Sequence, residues 1–349
     1  MSKMKAVVAF APGDLRLADV DRPVPGPREV LVKVAHCGIC ATDVSIADGT
    51  LNLGESAKVL YPVYLGHEWA GVVAEAGSGA RRLKAGDRVL GDSGVDCGGF
   101  CEGCVRGTGC SEGRAIGTVN NHWHGGMAEY ILMPEWNTYR VPDGVPLDEA
   151  ALVEPASIGM CGLLETPLGP GCNILVVGTG PISLGGMACA IGMGAGKVIL
   201  AGRKDAKLEI GREMGAGVVV NMAKEDLHEA VMRETGGIGA DVVLDSTGAP
   251  ELFNGLVLTA RTGGYLVIPG FYEQPVHNVS LDNIVSRSVR VVGAAGMKRL
   301  SLRILNMMEY GRVKLGPIIT DRFPFSRALE AFAAVKERND RRIKIMLDF

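Results

Sequence analysis

Aromatic residues are scarce in this 349-residue sequence, at 5%, and its charge is nearly balanced at −3. The second absence excludes the strongly basic face that nucleic acid or an anionic membrane would need. No repeat and no low-complexity segment is present. The opening MSKMKAVVAF has a basic start, but its apolar stretch ends at Pro12-Gly13-Asp14, so a first β-strand is expected and not an export signal. Without export, nine cysteines, an odd number, point to metal ligation or free thiols rather than disulfides. Charge is also missing from Thr166 to Gly196, a run long enough for a transmembrane helix. Pro167, Pro170, Pro181 and many glycines divide it, which predicts a buried strand, turn and helix instead.

What is present is glycine, at 49 residues, and a length that suits two domains of ordinary size. Residues 1 to about 150 read as short strands (Val30–Ala35, Gly71–Ala76) between turns such as Pro25-Gly26-Pro27, Ala85-Gly86-Asp87 and Pro142-Asp143-Gly144. Most cysteines and four of the six histidines lie there. After Glu154 apolar strands alternate with helices: strands at Ile174–Val177, Lys197–Ala201, Val218–Val220, Asp241–Leu244, Tyr265–Ile268 and Val289–Val292; helices through Ala190, at Ala206–Met214 and at Lys224–Thr235. Strands apolar on both faces predict an α/β fold with a parallel sheet covered on both sides. A final strand is expected at Lys344–Leu347.

The first chemical feature is Val176-Val177-Gly178-Thr179-Gly180-Pro181-Ile182-Ser183. An apolar strand enters a glycine turn and a helix begins, so free backbone N–H groups and the helix dipole converge on a pyrophosphate site. Gly178 allows the turn and Gly180 the approach of phosphate, while Ser183 stands where the third glycine of the fingerprint would be. Pro181, Ile182 and Thr247 are assigned to the same cofactor site. The next strand ends in Leu200-Ala201-Gly202-Arg203-Lys204, without the acid that would bind the ribose 2′-OH of NAD. Arg203 and Lys204 favour a 2′-phosphate, hence NADP over NAD; the other reading is that they solvate a loop.

The second feature is Cys37-Gly38-Ile39-Cys40-Ala41-Thr42-Asp43, then Gly66-His67-Glu68, then Val153-Glu154-Pro155. A thiolate, an imidazole and one or two carboxylates suit a catalytic Zn²⁺ with an open position. The third is Cys97, Cys101, Cys104 and Cys110, four cysteines that can wrap a structural Zn²⁺; a redox pair or a lobe without metal are the alternatives.

These pieces occur in the order seen in the zinc-containing medium-chain dehydrogenases, and the chain resembles that family over nearly its whole length. The resemblance adds Ala85-Gly86-Asp87-Arg88-Val89 and Gly125-Gly126-Met127-Ala128-Glu129-Tyr130 to the motifs above. It implies a GroES-like β-rich catalytic domain (1–154 and 296–349), a Rossmann dinucleotide-binding domain (155–295) and an active site in the cleft. Cys40 and His67 match the family's zinc ligands, and Glu68 a direct or exchanging one. Glu154 falls where the alcohol dehydrogenases proper carry Cys, and Glu-Pro resembles the polyol, sorbitol and glucose dehydrogenase branch. Thr42 matches the hydroxyl that takes the substrate proton, and Asp43 the acid that orients the histidine ligand. The cysteine lobe departs from the family, with gaps of three, two and five residues against two, two and seven.

The implied reaction is hydride transfer between a secondary alcohol (polyol, sugar or cyclitol) and NAD(P), with Lewis-acid activation of the alcohol. Threonine or a simple secondary alcohol is the alternative substrate. A zinc-free quinone or enone reductase is disfavoured by Cys40, His67 and Glu68, and a non-enzymatic binding protein by Thr42. Asp48–Lys58 is read as a substrate loop, and His122-Trp123-His124 either as its neighbour or as a surface loop. A cytoplasmic homodimer or homotetramer acting on a small alcohol or ketone, with no nucleic-acid or membrane partner, completes the expectation.

Overall fold

The computed structural model describes residues 2–349 except 53–57, 108–109, 119–123 and 295–298. Part of the Asp48–Lys58 loop, His122 and Trp123 therefore lie outside the described residues. The chain forms two compact units: Met1–Glu154 with Asp321–Arg338 and Lys344–Phe349, and Pro155–Thr320 with Asn339–Ile343.

The first unit is β-rich. The strand Lys3–Ala11 pairs antiparallel with Asp14–Asp21 and with Val63–Tyr64. A larger sheet runs in the order Thr138–Arg140, Arg88–Gly91, Glu68–Ala76, Glu29–Gly38, Lys344–Asp348, Ile319–Pro324, with Tyr130–Pro134 also on Glu29–Gly38. Val32, Val34, Trp69, Val73, Ile131, Met133, Phe332 and Leu347 belong to its core. Register decides the site. Glu68 sits opposite Gly38 on one side and Met346 opposite Gly38 on the other, which leaves the C-terminal strand one strand away from Glu68. Central strands of this kind bury both faces, so a charged residue in one requires a partner.

The second unit is a six-stranded parallel sheet in the order Val218–Asn221, Val198–Gly202, Ile174–Val177, Ala240–Asp245, Ala260–Ile268, Arg290–Gly293. Numbered along the unit, that order is 3-2-1-4-5-6, the doubly wound Rossmann arrangement. Ile174–Val177 and Val198–Gly202 are fully buried, which is why their sequence is an unbroken apolar run. The strand carboxyl ends bring Gly178, Gly202 and Asp245 to one edge of the sheet.

The uncharged stretch folds as the strand Ile174–Val177 and the helix Pro181–Gly192. Among the described residues no helix is long and apolar enough to cross a membrane. The helix expected from Lys224 begins instead at Leu227, because the Asp226 carboxylate accepts the Glu229 N–H at 2.9 Å and caps it. The unit also runs to Thr320, beyond the 155–295 expected. The helix Ser301–Glu309 packs here, with Met307 and Val313 closing over Gly192.

Candidate metal centres and cofactor turn

The helix Ala41–Asp48 begins at Cys40, whose extended backbone caps it. The third helical residue, Asp43, reaches back: its Oδ2 accepts the Cys40 N–H at 2.8 Å. Oδ1 accepts the Gly66 N–H at 3.2 Å and lies 3.5 Å from His67 Nδ1. One fully buried carboxylate therefore ties the Cys40 turn to the Gly66-His67 turn. Burial works against charge on His67, but the Asp43 carboxylate and then Cys40 outweigh it and hold the imidazole pKa well above its ordinary value.

Ligand atoms of Cys40, His67 and Glu68 all lie within 4.8 Å of one another. Glu68 and His67 are buried, and His67 Nδ1 is left without a close hydrogen bond. A sulfur, a nitrogen and an oxygen converging in that space are the donor set of a catalytic zinc site, which keeps a further position open. The residues fit the metal.

Two neighbours shape this cluster. Lys344 Nζ stands 2.7 Å from both oxygens of Glu68 and donates to the Ile39 carbonyl at 2.9 Å. It reaches Glu68 across Gly38, where any Cβ would collide with Glu68 Oε2. Glu154 does not join the three-residue group; its Oε1 accepts the Ser93 hydroxyl at 2.9 Å. Burial raises its carboxyl pKa; His67 opposes the shift and Glu68 adds to it, so its charge is felt at the cluster. Thr42 is half-buried on the first helical turn.

The cysteine lobe closes despite its spacing. Cys97, Cys101, Cys104 and Cys110 place their sulfurs within 4.8 Å of one another. The Cys97–Cys104 and Cys101–Cys110 separations are 3.8 and 3.7 Å. A tetrahedron with zinc–sulfur bonds of about 2.3 Å has edges of about 3.8 Å. Backbone N–H groups of Phe100 and Cys101 point at Cys97 Sγ, both at 3.2 Å. The Cys101 thiol is pushed down to about 5, chiefly by hydrogen bonding from Ser111 and then by the Cys104 N–H. Hydrogen bonding with Cys101 pushes the Cys104 thiol up in turn, so the thiolate is favoured at Cys101 and not at Cys104. The left-handed backbone at Gly98 and Gly99 supplies the extra turn that the longer first gap requires.

In the second unit Gly178 leaves its strand at φ +103°, and a Cβ there would stand 2.7 Å from Ser183 Oγ. Gly180 caps the following helix, with Pro181 at its first position and open space around Gly180. Ser183 is buried; its hydroxyl donates to the Val177 carbonyl at 3.2 Å and lies 2.5 Å from Ser246 Oγ. The hydroxyl thus ties the helix to two strand ends where glycine would have offered only proximity. Buried Asp245 accepts from Thr247 N–H and Oγ at 2.9 and 2.7 Å and from the Tyr272 hydroxyl at 2.5 Å. Arg203 and Lys204 each face a carboxylate, Glu251 at 3.6 Å and Asp340 at 2.8 Å.

Comparison with known proteins meets these sites. Residues 26–143 match the alcohol dehydrogenase GroES-like domain, and residues 181–309 the zinc-binding dehydrogenase domain. The L-threonine 3-dehydrogenase of Pyrococcus horikoshii is 31% identical over 99% of both chains. The chain belongs to the zinc-containing medium-chain dehydrogenase family. The D-arabitol-phosphate dehydrogenase of Enterococcus avium is likewise 31% identical, over 100% of this chain and 98% of its own. A zinc-binding dehydrogenase from Sinorhizobium meliloti, bound to NADP, superposes with a TM-score of 0.91 at 30% identity and full coverage of both chains.

The chain is therefore a dehydrogenase, an NAD(P)-dependent oxidoreductase built on the α/β fold expected. Lys344 and Ser93, which contact Glu68 and Glu154, were missed in the sequence. Lys344 had a signal: it is the one cation inside the apolar terminal strand Lys344–Asp348. Ser93 had none, since its role depends on a turn lying beside Glu154.

Proposed function

We propose that this dehydrogenase oxidises a secondary alcohol of the polyol, sugar or cyclitol class with NADP, or reduces the matching ketone. The observation that carries the reading is the donor group of Cys40, His67 and Glu68 within 4.8 Å, with a carboxylate, Glu154 before Pro155, standing where the alcohol dehydrogenases proper carry Cys, its charge felt at the group. The Glu154-Pro155 pair resembles the polyol, sorbitol and glucose dehydrogenase branch of the family. The similarity to an arabitol-phosphate dehydrogenase points the same way.

In this proposal Cys40, His67 and Glu68 hold the catalytic zinc, with Glu154 available to it, and the four-cysteine lobe holds a structural one. When bound, the catalytic metal supplies Lewis-acid activation of the alcohol oxygen. The residues do the rest. Asp43 fixes the Cys40 and His67 turns through two backbone N–H bonds, so both ligands are positioned before metal arrives. Lys344 neutralises Glu68 and restrains its carboxylate. Thr42 takes the alcohol proton. Gly178, Gly180, Pro181 and Ile182 cradle the pyrophosphate on the helix N-terminus, and Asp245 orients Thr247 beside it. Arg203 and Lys204, with no acid at Gly202, support NADP over NAD.

The similarity to a threonine dehydrogenase supports an amino alcohol as a second substrate reading. Homo-oligomerisation is part of the proposal, supported by the edge strand Arg290–Gly293 with its exposed Val291, and by the exposed Leu281 and Val285 on the helix that precedes it, as is a cytoplasmic location.

The test is a spectrophotometric screen of sorbitol, xylitol, arabitol, inositol, threonine and simple alcohols against NAD and NADP. A polyol with NADP is expected to lead; preference for unbranched primary alcohols would refute the substrate class. Cys40→Ser is expected to abolish turnover while cofactor binding persists, and retained turnover would refute the metal assignment.

A further inference from the structure

The segment Asn339–Ile343 leaves the first unit's stretch of chain at Arg338, packs with the second unit and returns at Lys344. It is pinned there. Asn339 Oδ1 accepts the Arg341 and Arg342 N–H groups at 2.9 and 3.0 Å, and Ile343 N–H donates to Thr320 Oγ1 at 2.9 Å. The turn so formed places Asp340 Oδ1 2.8 Å from Lys204 Nζ. Lys204 is the residue immediately before the helix Asp205–Glu213, at the strand end where the adenosine ribose of a dinucleotide lies in this fold.

Lys207, one helical turn on, shares the neighbourhood. Burial lowers its ammonium pKa, Asp340 opposes the shift, and Lys204 and Arg342 add to it. Three cations, Lys204, Lys207 and Arg342, thus share one neighbourhood with the Asp340 carboxylate, which pairs with Lys204. Arg203 stands at the same strand end, beside Glu251. A carboxylate resting on a lysine within a cluster of cations is a resident anion in the place where a phosphate monoester would bind.

We infer that Asp340 is a specificity-determining residue for the cofactor: its carboxylate pairs with Lys204 in the absence of cofactor and competes with the 2′-phosphate of NADP for it, while Arg342 and Lys207 complete the phosphate site. The inference rests on the NADP reading above. The sense of the competition follows from charge. A 2′-phosphate carries more negative charge than a carboxylate and has three acceptor oxygens, so it displaces Asp340 and gathers Arg342 and Lys207 as well. NAD offers only a hydroxyl at that place and leaves the pair intact. Asp340 therefore weakens NADP binding and leaves NAD binding alone, and Arg342 strengthens NADP binding from a part of the chain remote from the glycine turn.

The experiment is direct binding, without turnover, of NADP, NAD, 2′,5′-ADP and 5′-ADP by calorimetry to the full-length protein. Asp340→Asn is expected to tighten NADP and 2′,5′-ADP by about threefold to fivefold, the scale of an exposed ion pair, with NAD and 5′-ADP unchanged. Arg342→Gln and Lys207→Gln are expected to weaken NADP and 2′,5′-ADP by a similar factor, and all three differences should shrink in high salt. Unchanged or weaker 2′,5′-ADP binding by Asp340→Asn, where Lys204→Gln weakens it, would overturn the inference and leave the NADP reading standing. Equal affinity of the unaltered protein for 2′,5′-ADP and 5′-ADP would overturn both.

Discussion

Lys344 Nζ lies 2.7 Å from both carboxylate oxygens of Glu68, and each side chain is at most 3% exposed. The pair joins the last strand of the chain to the residue beside His67. Removing one partner of a buried pair strands the other charge, at a cost of about 3–5 kcal/mol. Lys344→Met is therefore expected to lower the urea unfolding midpoint by that equivalent, and Lys344→Met with Glu68→Gln to recover much of it. A single variant as stable as the parent would show that the pair contributes nothing.

Metal content separates the two donor groups. The cysteine lobe and the Cys40 group are each expected to hold zinc in the purified protein. Cys104→Ser should lose the lobe's share by elemental analysis and unfold at lower temperature while the other share remains. Cys40→Ser should do the reverse, losing turnover with little change in melting temperature. Loss of both metals from either variant would contradict independent sites.

Gly202 explains why a simple switch to NAD should fail. A Cβ there would stand 2.7 Å from Thr179 Cγ2, inside the glycine turn. Gly202→Asp is expected to weaken NADP binding by tenfold or more, about 1.4 kcal/mol, through charge repulsion and displacement of the turn. NAD should gain little. Adding Thr179→Ser, which deletes the obstructing methyl, is expected to restore NAD binding. Fluorescence titration of both cofactors checks it, and a gain for NAD in Gly202→Asp alone would mean the turn yields freely.

Asp148 gives a pH-dependent contribution with a defined sign. Burial raises its pKa, but hydrogen bonds from Arg322 and the Glu149 N–H outweigh this and leave it below its ordinary 3.8. A carboxyl depressed on folding stabilises fully above 3.8 and loses that contribution as pH falls through the folded value. Asp148→Asn should therefore be less stable than the parent at pH 6, and the two urea midpoints should converge as the pH drops below 3.8. A constant difference across that range would exclude the linkage.

The Rossmann half was legible because its signals are local. Each buried parallel strand is a continuous apolar run, and Gly178-Thr179-Gly180-Pro181 announces a strand-to-helix turn within four residues. The boundary of that unit was less legible. Met307 and Val313 pack over Gly192, a contact between positions more than a hundred residues apart that no periodicity records.

Residue type and spacing alone determined the donor chemistry here: Cys40, His67, Glu68, Glu154 and four cysteines in a lobe, upstream of a dinucleotide turn. Only the tertiary structure decided which of them meet. It grouped Cys40 with His67 and Glu68, left Glu154 on the Ser93 hydroxyl, and brought Lys344 to Glu68 from 276 residues away. The reason is register. Side chains alternate across a strand, so which residues meet across a sheet depends on which strands pair and at what offset, and that is set by the packing of the whole core.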